Sequence, residues 1–197
     1  APFDAPNVGL WLGPRAHLVH YPVRSGDDLN VVAVVEGGTE RQGWNQPGSS
    51  GALLAGFTRW AEDSKSLLER AEGWRSWSLY RLTSLRHWSY GPIALLGDAA
   101  HPVLPFLAQG AGLAIDDAVT LASCLAERPY DPSAAFRRYE GLRQPRAARV
   151  QAVSRCYGRL YHLGGPLRAA RNFLLEQRRE QRALQRLDWL YWDRERP

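Results

Sequence analysis

The chain has 197 residues, 45% of them hydrophobic and 23% charged, with a net charge of +5 and no methionine. This balance excludes a disordered or fibrous protein, and no window approaches the roughly 18 consecutive apolar residues of a membrane span. No charged-then-apolar leader opens the sequence, and a chain lacking a starting methionine is expected to be processed, trimmed or part of something longer.

Residues 8–35 read as β-structure. His17-Leu-Val-His-Tyr-Pro22 is a short apolar stretch ended by Pro, Arg24–Asp28 is a turn cluster, and Asn30–Glu36 is a β-branched run of strand length. Together they predict an antiparallel hairpin. A loop comes next, over 37–51. Leu53, Leu54, Phe57, Trp60, Leu67 and Leu68 give helical spacing over 52–72,. The alternation from Trp74 to Tyr80 predicts a strand with both faces partly covered. Gly91-Pro92 breaks the chain, and Ile93–Leu96 reads as a buried strand. A small-residue loop leads to a helix from about Leu113 to Glu127. Asp131 and Pro132 are suited to cap and open another helix, running towards Tyr157 with a kink or break at Pro145. Residues 167–193 predict one or two further amphipathic helices.

Charge is uneven. Residues 1–136 carry 10 basic and 14 acidic groups, net −4, and residues 137–197 carry 15 Arg and 6 acids, net +9. The Arg residues are interleaved with Leu, Ala and Glu along helical patterns, which favours solvated helix faces over a nucleic-acid surface. Cys124 and Cys156 lack CxxC spacing, which argues for a reducing, cytoplasmic setting and against a metal site.

One segment carries chemistry: residues 91–118, GPIALLGDAAHPVLPFLAQGAGLAIDDA. The strand ends at Gly97-Asp98, the edge where open α/β sheets bind ligands. Gly110 and Gly112 allow close backbone approach, and the helix after them aims free N–H groups and its positive dipole end at the same place. Such a site stabilises negative charge without a cationic side chain. On spacing alone, a ligand site and a plain strand–turn–helix connection stand equal. On the β-strand, His17 and Tyr21 are four apart and therefore share a face, while His20 lies opposite. Two readings stand for that pair as well: a shared pocket, or ordinary sheet residues. Trp44, Trp74, Trp77 and Trp88 read as core or pocket wall.

The run Leu96-Gly-Asp-Ala-Ala-His-Pro102, with Leu107-Ala-Gln-Gly-Ala-Gly112 and Ile115-Asp-Asp-Ala118, resembles the second flavin motif of single-component FAD-dependent aromatic hydroxylases. That class includes the para-hydroxybenzoate, salicylate and 3-hydroxybenzoate hydroxylases. Gly13-Pro14, His17 and Tyr21-Pro22 are similar to its substrate-domain strand, and Trp44-Asn-Gln-Pro-Gly48 to its loop. Tyr139–Arg143, Pro145-Arg146, Val150-Gln151 and Ser154-Arg155 are similar to its C-terminal helix, and Tyr161–Pro166 to the continuation of that helix. The resemblance implies an α/β fold: an antiparallel substrate-domain sheet, then the last strand and helices of an FAD-binding Rossmann-like domain. It divides the chain into a substrate-domain portion (1–90), an FAD-contacting strand–loop–helix (91–130) and C-terminal helices (131–197). It implies FAD as cofactor and NAD(P)H as transient electron donor. Gly97 and Asp98 would meet the cofactor, with Asp98 bonded to the ribityl chain. Pro105 would sit by the flavin ring, and Gly110, Ala111 and Gly112 would offer N–H groups to the N1–C2=O edge. His101 would shape the turn. His17 and Tyr21 are the implied catalytic pair, binding and deprotonating a phenol so that its ring attacks an electrophilic oxygen; a His titrating near the working pH suits that task.

The chain also departs from the family. It has no G-x-G-x-x-G fingerprint and no middle Asp-Gly motif, and Arg81-Leu82 stands where Asp-Arg is common. The N-terminal βαβ is thus absent, and the chain is expected to be a C-terminal portion of a longer enzyme. Its expected partners are a small aromatic substrate, O2 and the missing N-terminal half or a second copy. The alternative is a flavin-site remnant that binds a partner or nothing.

Overall fold

The computed structural model describes residues 7–37, 45–80, 82, 85–177, 185 and 187–191. The chain divides into two compact units, one made of Ala1–Ser78 with Arg159–Leu187 and the other of Leu79–Gly158 with Asp188–Pro197.

The first unit is built on a three-stranded antiparallel sheet, β1 (Gly9–Gly13), β2 (Ala16–Val23) and β3 (Asp28–Val35), in that spatial order. The predicted hairpin is the β2–β3 pair, and β1 adds a strand to its other edge. Register places Trp11 opposite Leu18 and Leu18 opposite Ala33, so one face gathers Trp11, Ala16, Leu18, Val31 and Ala33. That face packs on Phe57, Leu67 and Leu68 to form the unit's core. The helical pattern over 52–72 resolves into α1 (Ser50–Ala55) and α2 (Glu62–Arg70). The interruption falls at Gly56, where a Cβ would meet Val35 at 3.0 Å. Ser49 caps α1, its hydroxyl accepting from the Ala52 N–H at 3.2 Å,.

The expected strand over 74–80 shrinks to β5 (Arg75–Ser76), paired with the two-residue β4 (Gln46–Pro47). Asn45, the next position opposite Trp77 in this register, takes φ +60, outside the extended range a strand needs,. Trp77 is accordingly 47% exposed rather than a core or wall residue. Trp74 does pack against the first unit's core, and Trp88 is buried in the second unit. Trp44 lies outside the described residues.

In the second unit, β6 (Ser89–Tyr90) and β7 (Ile93–Ala94) form a minimal hairpin about Gly91. The reading of Ile93–Leu96 as a buried strand is therefore corrected: among the described residues only Ile93 and Ala94 form a strand, paired with β6 alone, and Ile93 is 62% exposed. Short 3-10 turns come next at Gly97–Ala99 and Pro105–Leu107. Helix α3 (Gly110–Glu127) begins three residues earlier than its apolar pattern suggests, because Gly110–Gly112 carry no large apolar side chains to mark the first turn. Helix α4 (Pro132–Tyr161) starts where predicted, and the Asp131 carboxylate accepts from the Ala134 N–H at 3.0 Å. It runs on through Pro145; one missing N–H does not end a ladder that packing sustains on both sides,. Trp88, Ala100, Cys124, Ala135, Tyr139 and Ala147 form the core here. Helix α5 (Gly165–Glu176) belongs to the first unit, whereas α6 (Asp188–Tyr191) belongs to this one. Among the described residues, no helix is long and apolar enough to cross a membrane.

Candidate functional site

The loop from Gly97 to Gln109 is held from below by a buried polar cluster. Asp117, on α3, is fully buried. It accepts from the Gly97 N–H at 2.9 Å, from His101 Nε2 at 2.5 Å and from Arg143 Nε on α4 at 2.8 Å. Arg143 also reaches the Leu113 carbonyl and lies 3.6 Å from Asp116. Burial alone would push the Asp117 carboxyl up. The hydrogen bonds from His101, Arg143 and the Gly97 N–H together outweigh it and hold the group below the ordinary carboxylate range,. His101 therefore ties the turn to α3, as expected.

Helix α4 fixes the rest of the loop. Gln151 Nε2 donates to the Pro102 carbonyl at 3.1 Å, and Ser154 Oγ donates to the Leu104 carbonyl at 2.7 Å. Gly158 makes room for Phe106, since a Cβ there would come within 2.4 Å of the ring.

What this framework presents outward is a set of backbone donors and one carboxylate. Helix α3 starts at Gly110 with no side-chain cap at Gln109 and no acid in its first turn. The N–H groups of Gly110, Ala111 and Gly112 have no carbonyl one turn back to bond. A Cβ at Gly110 or Gly112 would meet nothing closer than 3.6 Å, so the space over the helix end is open. Gly97 takes φ +57, and a Cβ there would press on Ala114 at 3.2 Å,. Asp98 and Pro105 are exposed, and the Asp98 carboxylate has no hydrogen-bond partner among the described residues. Donors suited to an anionic ring edge, with a nearby acceptor suited to hydroxyls, fit a flavin carrying a polyol chain. The structure brings all six predicted cofactor residues to this loop and helix end.

The predicted catalytic pair lies in the first unit. His17 and Tyr21 share the β2 face opposite the core, separated by about 13 Å at the strand's rise per residue. His17 is 3% exposed. Its Nδ1 lies 2.7 Å from His162 Nε2, and His162 Nδ1 donates to Glu36 Oε1 at 2.6 Å. The Tyr161 ring stands edge-on to His17 at 5.3 Å. Burial first, and then His162, lower the His17 pKa to about 4, which corrects the expectation of a His titrating near neutral pH. His20 is buried on the core face, where a Cβ on Gly9 would strike its ring.

Sequence reasoning missed four residues: Asp117 and Arg143 beneath the loop, and His162 and Glu36 beside His17. All but Glu36 fall within segments whose family likeness was evident, yet pairs 26 and 145 residues apart carry no spacing signal. Among the described residues, no three His, Cys, Asp or Glu side chains are arranged to hold a metal ion.

Small antiparallel sheets and packed helices, with an uncapped glycine-rich helix end over a locked loop, define a mixed α/β protein of the flavin-binding class. The chain belongs to the FAD-binding-domain family, whose profile matches residues 6–154. It is 37% identical over 182 residues to 3-hydroxybenzoate 6-hydroxylase of Klebsiella oxytoca, covering 92% of this chain and 46% of that protein. It is 38% identical over 194 residues to 3-amino-4-hydroxybenzoate 2-monooxygenase PtnB3 of Streptomyces platensis, covering 96% and 48%. Among solved structures, a salicylate hydroxylase substrate complex superposes with a TM-score of 0.75 at 29% identity, covering 94% of this chain and 47% of that one. The chain thus spans about half the length of the curated relatives it matches.

Proposed function

We propose that this chain supplies the substrate-domain strands and the second flavin-contacting segment of an FAD-dependent monooxygenase that hydroxylates a phenolic or heteroaromatic acid. NAD(P)H is the electron donor and O2 the oxygen source in this reading. The observation that carries it is the uncapped, open α3 N-terminus beside exposed Asp98, on a loop locked by Asp117, Gln151 and Ser154. The kinship with hydroxylases of hydroxybenzoates supports the substrate class.

In this reading, residues 1–90 are the substrate-domain portion, 91–130 the FAD-contacting strand–loop–helix of a Rossmann-like domain, and 131–197 the C-terminal helices. An N-terminal segment bearing the nucleotide fold, or a second chain, completes the cofactor site. Bound FAD supplies two-electron reduction by NAD(P)H and activation of O2.

The chain's own residues do the rest. Asp98 accepts hydrogen bonds from the ribityl hydroxyls, with Gly97 leaving the turn narrow enough for that approach. Pro105 lies by the ring. The N–H groups of Gly110, Ala111 and Gly112, with the helix dipole behind them, stabilise negative charge at the N1–C2=O edge. His17 takes the substrate's hydroxyl proton, and Tyr21, on the same strand face, positions the ring. A phenolate ring is the better nucleophile towards an electrophilic oxygen.

The test is flavin occupancy of the full-length protein, read from its visible absorbance. Asp98→Ala removes a charged acceptor worth roughly 1.5–3 kcal/mol, so flavin affinity should fall about tenfold or more. Unchanged occupancy would remove the Asp98 assignment, and a full-length wild-type protein without flavin would remove the whole reading.

A further inference from the structure

A buried base must pass its proton on, and a chain of hydrogen bonds runs from His17 towards solvent. His17 Nδ1 and His162 Nε2 lie 2.7 Å apart, so one proton, and not two, sits between them. On its other edge, His162 Nδ1 faces Glu36 Oε1 at 2.6 Å, and a carboxylate only accepts,. The Nδ1 of His162 therefore carries hydrogen. When His162 is neutral, its Nε2 is an acceptor, His17 Nδ1–H donates to it, and His17 Nε2 holds a lone pair. When His162 is an imidazolium, the shared proton belongs to His162, and neutral His17 carries its hydrogen on Nε2. The protonation of His162 thus decides whether His17 presents a base or a donor at Nε2.

The three groups also span a burial gradient. His17 and the His162 side chain are buried, while the Glu36 side chain is 49% exposed. Glu36 closes the chain on the solvent side. The Arg15 guanidinium lies 4.0 Å from its second oxygen, and the Arg15 N–H donates to the His162 carbonyl, which fixes His162 at the start of the segment after α4. The Tyr161 ring stands edge-on to His17, and Leu12 and Val34 are its register neighbours across the sheet, none of them a carboxylate or a cation.

We propose that His162 and Glu36 are positioning residues that form a proton relay with His17, carrying the substrate's hydroxyl proton from the buried site to solvent. The inference rests on the reading of His17 as the base. The phenol O–H bond breaks and its proton bonds to His17 Nε2. The His17 Nδ1 proton moves to His162 Nε2, the His162 Nδ1 proton moves to Glu36, and Glu36 releases it to water. The reverse passage returns one proton when the product's oxygen is reprotonated and resets both rings. A relay answers a specific difficulty: burial disfavours a charged His17, and passing its Nδ1 proton on as the substrate's proton arrives leaves both rings neutral,.

The test uses the full-length, FAD-loaded protein mixed in a stopped-flow instrument with 3-hydroxybenzoate, read by phenolate absorbance across pH. His162→Gln and Glu36→Gln should slow the phenolate rise about tenfold or more and change its pH profile, with the binding constant for 3-hydroxybenzoate little altered. His17→Gln should abolish the rise. If both relay variants match the wild type in rate and pH profile while His17→Gln is dead, the relay is overturned and the base reading stands. If His17→Gln behaves as wild type, the base reading itself falls. Glu36 is half-exposed, so its variant keeps the test open should His162→Gln fail to fold. Ring-nitrogen NMR on the substrate-free protein gives a second readout: protonating His162 should move the His17 hydrogen from Nδ1 to Nε2. His17 signals unaffected by His162→Gln would overturn the relay.

Discussion

Replacing Asp117 by Asn isolates the electrostatic part of the framework under the Gly97–Gln109 loop. The amide keeps the carboxylate's shape and one acceptor oxygen. It removes the charge facing Arg143 Nε at 2.8 Å and cannot accept from Gly97, His101 and Arg143 together. Breaking a buried ion pair from one side costs about 3–5 kcal/mol, because the remaining charge stays buried and underpaired. Asp116, 3.6 Å from the guanidinium, offsets some of this, so a loss of about 3 kcal/mol is expected,. Chemical denaturation at neutral pH measures it as a lower midpoint at unchanged slope. A pH series adds a signed check. The folded Asp117 titrates below its ordinary value, so its contribution is present above the ordinary carboxylate range and disappears as pH falls through the lowered folded value,. The gap between wild type and Asp117→Asn should therefore close on acidification. The double variant Asp117→Leu with Arg143→Met should lose less than the sum of the two single changes, since both members of the pair leave together. A loss under about 1 kcal/mol for Asp117→Asn, with no acid dependence, would refute the claim that this cluster holds the loop.

The second tight point of the framework is Gly158: adding a methyl there drives a Cβ to 2.4 Å from the Phe106 ring, so Gly158→Ala should destabilise by about 1–3 kcal/mol, and an unchanged melting temperature would count against the packing,. Burial of His17 has its own pH signature. Its folded pKa lies near 4 against 6.5 unfolded, so the unfolded chain takes up the proton first as pH drops, and stability declines from 6.5 towards 4 by about 3 kcal/mol,. His17→Gln should lack that decline, and equal slopes in both proteins would show that His17 is not buried as neutral imidazole.

The sheet of the first unit was legible because its signals are local. Alternation places His17 and Tyr21 on one face and Leu18 on the other, and the turn cluster at Arg24–Asp28 sets the register. The cap at Asp131 was legible for the same reason. The strands over 74–80 and 93–96 were not. Whether an apolar run pairs depends on a partner elsewhere, and the partners these two runs meet among the described residues are only two residues long. The loop from Gly97 to Gln109 was legible as a motif, through its glycines and Asp98. Its support was not, because Asp117 bonds to residues 16, 20 and 26 positions away, on a turn, a loop and a second helix. His162 was invisible for a stronger version of that reason, being 145 residues from His17.

The acidic residues of this loop and of the helix behind it show how environment assigns roles to a single side-chain type. Asp98 and Asp117 are both carboxylates within one short motif, and composition cannot separate them. Asp117 has strong donors turned towards it, from a backbone N–H, an imidazole and a guanidinium, and no solvent. Its hydrogen-bonding capacity is consumed within the fold, so it cannot serve a ligand without losing the loop. Asp98, one residue after the glycine that Asp117 anchors, is exposed and has no partner among the described residues. The same N–H contact that satisfies Asp117 thus fixes where Asp98 stands. A carboxylate held in place by its neighbour's hydrogen bond, with its own acceptors open, is prepared to bind hydroxyls at little cost in ordering. Burial separates the two acids: loss of Asp117 should affect the fold, and, on the proposed reading, loss of the exposed Asp98 should affect flavin retention instead.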